Sequence, residues 1–191
     1  MIDFAIGICL GVALSAACGF RIFIPPLAMS MAALTGNLTL TSGFEWIGTY
    51  PALITFAIAT LIEVGAYYLP VVDNFLDTLE IPTAVAFGTV ITAASLGEVD
   101  PLLRWSLAAI AGGGSAGAIE SFTSVTRLAS TTTTGGLGNG ILATLEALSA
   151  ITLSLLALLL PLFAGVVVLF VLGLVFRRIR KLRRKQQMRR F

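Results

Sequence analysis

The sequence predicts an all-α protein, a polytopic transmembrane helical bundle of about six spans. Hydrophobic residues make up 57% of the chain and charged residues only 12%, with a mean hydropathy of +0.97, whereas soluble domains are about 45–50% apolar. Apolar runs such as 151–176 lack the polar–apolar alternation of β-strands. We expect a transmembrane domain over 1–176 and a basic cytoplasmic tail over 177–191.

Apolar runs and helix-breaking residues place the individual helices. The expected bounds are 4–33, 51–70, 82–97, 101–124, 139–160 and 161–177. No polar loop separates the last two, and a straight helix over both would be nearly twice as long as the hydrocarbon core of about 30 Å is thick. We therefore expect a tight turn or a sharply broken helix near Pro161.

The first helix carries a small residue at every fourth position. The ladder consists of Gly7, Gly11, Ser15 and Gly19. Such faces let helix backbones approach closely in lipid. Packing within the bundle is the expected role, and assembly of a homo-oligomer through the same residues is the alternative.

The same helix is expected to be broken, because Pro25 and Pro26 remove backbone donors. Broken helices at membrane depth are tolerated where they line a cavity. Arg21 lies just before the prolines. It can hold an anionic substrate group or serve as the counter-ion of a buried glutamate, and the counter-ion role is favoured.

Two glutamates, Glu63 and Glu146, fall inside predicted spans. A carboxylate at that depth costs at least ~2.5 kcal/mol, which marks a functional site. Counting from the helix ends puts both about 10 Å inside the same membrane face, with Glu120 on that side too. Facing carboxylates share a proton or bind a cation, so we predict ion binding and metal ligation by Glu63 and Glu146. The alternative is structural pairing of either with Arg21, and of Glu120 with Arg127.

Two polar segments flank these spans. After Pro70, the acids Asp73, Asp77 and Glu80 share one helical face, which predicts a short interfacial helix with a solvated acidic side. Between the fourth and fifth helices lies a segment rich in hydroxyls and glycines. Its candidate substrate-path residues are Thr131, Thr132, Thr133, Thr134, Gly135, Gly136 and Asn139. Hydroxyl and carbonyl oxygens suit hard cations, and a flexible cytoplasmic loop is the other interpretation.

Charge sets the orientation. Nine of the twelve Lys and Arg residues lie in 177–190, which places the C-terminus in the cytoplasm and near membrane lipids. Six spans then form two halves of three helices with opposite orientations, as in inverted-repeat transporters. The shared Ala-Thr-Leu before Glu146 and near Glu63 gives this repeat modest support.

Enzyme chemistry is not expected. The chain has no histidine, no phosphate-binding or dinucleotide-binding loop, and only two cysteines, too far apart in one helix for a disulfide. We expect no catalytic residues, no cofactor and no nucleic-acid partner.

Three stretches carry a resemblance. They are Gly-Phe-Arg at 19–21, Pro-Val-Val-Asp at 70–73, and Thr-Thr-Gly-Gly-Leu-Gly-Asn at 133–139 followed by Glu146. The chain resembles the bacterial family known as domain of unknown function 4126, which implies a small multi-pass protein of the bacterial inner membrane. A fainter similarity links Gly138, Asn139 and Glu146 to cation exchangers.

The expected function is that of a small membrane transporter, a proton-coupled exchanger of an inorganic cation or small solute that uses the intramembrane glutamates. A cation is favoured over an anion because acids outnumber arginines within the spans. A lipid-head-group translocase or lipid-binding protein, and a non-transporting scaffold, are the alternatives.

Overall fold

The computed structural model describes residues 2–67 and 70–188, with only the backbone described at 70–78, 175, 176 and 178–188. Within these residues every regular element is helical, so the all-α prediction is confirmed. The helices are α1 (Ile2–Cys18), α2 (Ile24–Leu34), α3 (Tyr50–Ala66), α4 (Pro70–Ser95), α5 (Pro101–Leu107), α6 (Gly114–Thr134), α7 (Asn139–Leu159) and α8 (Pro161–Met188). A 3₁₀ turn, Glu45–Gly48, precedes α3, and a π-helical segment, Ala108–Gly113, joins α5 to α6.

Helix α1 is the centre of the bundle. It is buried from Leu10 to Cys18 and packs against α4, α6, α7 and α8. The small-residue ladder is filled from within the chain, because Ser15 Oγ donates to Gly88 O of α4 at 2.6 Å and Gly19 lies against Ala116 of α6. The packing role predicted for the ladder is therefore confirmed.

The predicted break in the first helix is also confirmed. Helix α1 ends at Cys18, and α2 begins at Ile24 with Pro25 and Pro26 in its first turn. Proline is tolerated there because the first N–H groups of a helix have no partner within it. The break between them holds Arg21 in the interior, with 1% of its surface exposed.

Helix α4 corrects two predictions. It is one helix from Pro70 to Ser95 with Pro82 inside it, rather than a helix beginning at 82 after a separate interfacial one. Glu80 was expected on a solvated face, but only 5% of its surface is exposed. Its burial follows from its contact with Arg127 inside the bundle. The side chains of Asp73 and Asp77 lie outside the described residues.

Helix α6 continues ten residues beyond its predicted end at 124 and reaches Thr134. The hydroxyls of Thr132, Thr133 and Thr134 donate to carbonyls four residues earlier at 2.8–3.0 Å. These hydroxyls therefore bond to backbone carbonyl groups of α6 itself, and the helix continues through the threonines. The chain turns only at Gly135 and Gly136, whose φ angles of 65° and 89° suit glycine.

Helices α7 and α8 are joined by Leu160 alone, which leaves the helical conformation (φ −137°, ψ 67°). The chain reverses there. Leu145 of α7 and Val171 of α8 line the same pocket, whereas a continuous helix would separate them by about 39 Å. The tight turn is thus the correct one of the two predicted outcomes.

Length and hydropathy identify one described helix able to cross a bilayer, Asn139–Leu159, with a mean hydropathy of 2.0. Other apolar helices are shorter: Ile2–Cys18, Ile24–Leu34, Tyr50–Ala66, Leu79–Ser95 and Pro161–Leu174. The predicted basic tail continues α8 as far as Met188.

Candidate functional site

Six ionisable side chains from five parts of the chain meet inside the bundle. We call them the charge cluster: Arg21 from the α1–α2 break, Glu63 of α3, Glu80 of α4, Glu120 and Arg127 of α6, and Glu146 of α7. None exposes more than 7% of its surface. Buried charges are costly unless they are paired and hydrogen-bonded, so the arrangement of partners decides what each group can do.

Glu146 lies between two arginines. Arg127 holds both of its oxygens, with Nε donating to Oε1 at 3.0 Å and Nη2 donating to Oε2. Arg21 Nη2 lies 3.2 Å from Oε2 and also donates to Ala143 O at 3.0 Å. The predicted role of Arg21 as a counter-ion is confirmed, with Glu146 as its partner.

Arg127 does not form the predicted pair with Glu120 in the contacts described. Besides Glu146 it faces Glu80, whose Oε1 lies 3.7 Å from Arg127 Nη1. Arg127 therefore links two carboxylates, one on α4 and one on α7. That link makes the packing of these two helices depend on the same guanidinium.

Tyr67, at the end of α3, completes the arginine site. The Cζ atom of Arg21 lies 3.6 Å from the centre of its ring, and that of Arg127 lies 4.1 Å from it. An aromatic face attracts a cation electrostatically. Sequence reasoning missed Tyr67, although its position four residues after Glu63 was a usable signal, because residues at that spacing share a helix face.

Glu63 serves a different purpose from the one predicted. Its Oε1 accepts from the backbone N–H of Ile22 at 2.7 Å, and its Oε2 accepts from that of Phe23 at 3.1 Å. These N–H groups stand at the N-terminal end of α2, where they lack helical partners and the helix dipole is positive. Glu63 thus caps a half-helix and does not form the predicted carboxylate pair with Glu146.

The carboxyl groups that face each other are instead those of Glu80 on α4 and Glu120 on α6, which lie close enough to interact electrostatically. Glu120 Oε1 accepts from Ser124 Oγ at 2.9 Å, while Glu80 Oε2 is buried and receives no hydrogen bond from the described residues. Two carboxyl groups held side by side can form a hydrogen bond to each other only when one of them carries a proton. Glu80 was the site residue that the sequence did not reveal, because Pro82 suggested a helix start just after it.

Arg21 retains unused donors. Its Nε and Nη1 atoms are buried and have no hydrogen-bond partner in the described part of the chain. Such groups are rare in folded proteins and call for an explanation. Among the residues that the structure describes, the guanidinium of Arg21 bonds only through Nη2.

The threonine segment is separate from the charge cluster. Thr132, Thr133 and Thr134 are exposed and bond to α6 itself, and Thr131 Oγ1 accepts from Asn139 Nδ2 at 3.0 Å. Thr134 stands seven residues, or about 10 Å, beyond Arg127 along the helix. Gly135 and Gly136 form the turn after it. The structure thus brings together the predicted glutamates and Arg21, but not this segment.

Metal ligation by Glu63 and Glu146 finds no support in this geometry. Their oxygens accept bonds from N–H donors, which occupy the lone pairs that a metal ion would need. In the part of the chain that the structure describes, no group of three or more His, Cys, Asp or Glu side chains could hold a metal ion.

An apolar groove of about 390 Å³ runs beside the charge cluster, between α1, α6, α7 and α8. Its lining includes Phe20, Ile119 and Leu145, each next in sequence to a residue of the cluster. Most of the remaining lining is aliphatic, so the groove suits hydrocarbon rather than a polar solute.

Comparison with known proteins assigns the chain to a family. The family described as a domain of unknown function, DUF4126, matches residues 8–181. The chain belongs to the DUF4126 family. No curated protein and no solved structure gives a match. Because the description of DUF4126 names no activity, any function has to be argued from the charge cluster itself.

Proposed function

We propose that this DUF4126 protein is a multi-pass protein of the bacterial inner membrane that transports a small ion or solute together with protons. The observation that carries the proposal is the charge cluster, enclosed at the centre of a helical bundle whose outer faces are apolar. Ionisable groups in such a position typically mark ion pathways and proton relays.

The outer faces support a bilayer as the surrounding medium. Helix α3 leaves more than half the surface of Ile54, Ile58, Leu61 and Ile62 exposed, and α8 does the same with Val166, Leu169 and Phe170. Soluble monomers rarely expose apolar patches of this extent. The interior, in contrast, is built largely from Ala, Gly and Ser contacts, which are typical of helix packing in membranes.

Helix length fits this proposal once mismatch is allowed for. The 17 residues of α3 extend about 26 Å, slightly less than a bilayer core of about 30 Å, and such a difference costs only fractions of a kcal/mol per Å. If the basic tail after α8 is in the cytoplasm, the turn between α6 and α7 is on the cytoplasmic side too, because α7 and α8 each cross the membrane once. Glu146 is seven residues into α7 from that turn, so the proposal puts the charge cluster toward the cytoplasmic side. The inverted repeat of two three-helix halves remains part of this proposal.

The carboxyl groups of the cluster are the proposed proton carriers. We propose that the adjacent carboxyl groups of Glu80 and Glu120 hold one proton between them, and that its loss adds a negative charge near Arg127. The added negative charge would attract Arg127 away from Glu146 and toward Glu80. Because these partners lie on α4, α6 and α7, a change in proton occupancy alters the packing of three helices, which is what coupled transport requires.

Flux measurements in proteoliposomes containing a pH-sensitive dye test the proposal. Wild type would be screened against a panel of cation and anion gradients beside Glu120→Gln, with Glu45→Gln, an exposed acid, as the matched control. We expect solute-driven proton movement in wild type and control and at least a tenfold slower rate in Glu120→Gln. Equal rates in all three proteins, or silence across the panel, would refute the proposal.

The apolar groove favours one second candidate, a lipid-binding or lipid-head-group-translocating protein. In that case the groove takes an acyl chain and the basic tail engages anionic head groups. Removing 177–191 should then abolish binding to anionic vesicles, while the glutamate variant above would bind normally.

A further inference from the structure

We infer that the transported solute is a small monovalent oxyanion, such as a short carboxylate or nitrate, that binds Arg21 and Arg127 in the place now held by the Glu146 carboxylate. The inference rests on the proposed function and names its substrate class. It departs from the cation favoured by composition, because the acids that outnumber the arginines already face N–H or O–H donors of the protein.

The first argument is the shape of the site. Two guanidinium groups converge on a single carboxylate, and both lie against the ring of Tyr67. Arginine recognises flat oxyanions through paired N–H donors, and an aromatic face holds the guanidinium plane. The Glu146 carboxyl group therefore occupies a site with the features of an oxyanion receptor.

The second argument is the unused donor capacity of Arg21. Its Nε and Nη1 atoms find no hydrogen-bond partner among the side chains and backbone that the structure describes, although only 1% of the residue is exposed. Glu146 alone does not satisfy Arg21. An oxyanion free to orient in the site brings two or three oxygens and can reach donors that a tethered carboxylate leaves unbonded.

The third argument is charge balance. The groups facing or near Glu146 are Arg21, Arg127, Glu63, Glu80 and Glu120. The cluster holds two arginines and four glutamates, so its acids already outnumber its bases. An oxyanion would add a further negative charge, unless the displaced Glu146 takes up one proton. One proton bound for each anion leaves the buried charge unchanged, so the two bind together.

Calorimetric titration of the detergent-solubilised full chain with sodium formate and sodium nitrate tests the inference. Repeating each titration in two buffers of different ionisation enthalpy gives the number of protons bound with the anion. Wild type should bind formate with close to one proton. Glu146→Gln, which removes the competing charge and the proton acceptor, should bind at least tenfold tighter with no proton uptake.

Arg21→Gln should weaken formate binding at least tenfold, and Glu45→Gln should match wild type. If Arg21→Gln does not fold, Glu146→Gln still decides the matter, because tighter and proton-free binding is specific to displacement. No heat with either anion, equal affinity in Arg21→Gln, or weaker binding in Glu146→Gln would overturn the inference. The contact between Arg21 and Glu146 would then be a structural ion pair that binds no anion.

The outcomes also separate this inference from the proposed function. Proton-coupled flux driven by a cation, without oxyanion binding, would retain the transporter and overturn its substrate class. Oxyanion binding with proton uptake, but without flux in proteoliposomes, would retain the site and refute transport.

Discussion

Replacing Glu63 with glutamine tests whether this carboxylate holds the broken first helix together. The wild-type side chain accepts two backbone N–H bonds at 2.7 and 3.1 Å at a site where 7% of the residue is exposed. Glutamine keeps one acceptor oxygen but turns an NH₂ group toward the other N–H. Hydrogen bonds to charged groups contribute about 1.5–3 kcal/mol each. Losing one and weakening the other should destabilise the protein by about 2–4 kcal/mol.

Thermal unfolding in detergent measures this loss. For a chain of this size, each kcal/mol corresponds to about 2–4 °C in Tm, so Tm should fall by about 4–16 °C. Hydrogen exchange should accelerate at the amides of Ile22 and Phe23, because one of them loses its acceptor and the other keeps only a weaker, uncharged one. Glu98→Gln is the matched control, because Glu98 also accepts a backbone N–H, from Ser42, but is exposed at the surface. An unchanged Tm together with unchanged exchange at both amides would show that Glu63 does not cap α2.

Two other predictions concern packing and pH. Gly19→Ala should destabilise the protein by about 1–3 kcal/mol, because the added Cβ would lie 2.5 Å from Ala116 O. The control Gly114→Ala, where nothing lies within 4 Å of the added Cβ, should be neutral or stabilising. Equal unfolding curves for the two variants would contradict the packing argument. Hydrogen bonding from the backbone and hydroxyl of Ser42 lowers the pKa of Glu98. The ionised Glu98 carboxylate therefore contributes fully to the stability of the folded state above the ordinary pKa of 4.5. This contribution disappears as the pH falls through the lowered pKa. Amide exchange at Ser42, corrected for intrinsic rates, should accelerate over that range, and a pH-independent corrected rate would show that the carboxylate is not the acceptor.

The buried charges were predictable from the sequence because their position is costly. Arg21, Glu63, Glu120 and Glu146 all interrupt apolar segments, and all four are buried in the structure. Their partners were less predictable. Pairing depends on how each helix is rotated and how far it slides past its neighbours, and Ala- and Leu-rich segments restrict neither.

Glu80 shows why local signals failed in one place. It directly precedes Ile81 and Pro82, and proline ordinarily marks the beginning of a helix. Tertiary contacts overrode that preference. Helix α4 begins at Pro70, and its Glu80 contacts Arg127 and Glu120. The threonine segment misled in the opposite sense, since its hydroxyls extended α6 by bonding to carbonyls of the preceding turn.

Glu63 and Glu146 both interrupt apolar segments of the sequence, but they have different kinds of hydrogen-bond partner. The partners of Glu63 are backbone N–H groups at the start of α2. These groups are fixed to the helix and move only if α2 moves. The partners of Glu146 are arginine side chains, one of which already faces a second carboxylate on another helix. Side-chain partners can be exchanged by rotamer changes, whereas backbone partners cannot. Loss of the Glu63 carboxylate should therefore act mainly on stability, and loss of the Glu146 carboxylate mainly on binding, so the two glutamine variants distinguish a structural carboxylate from a displaceable one.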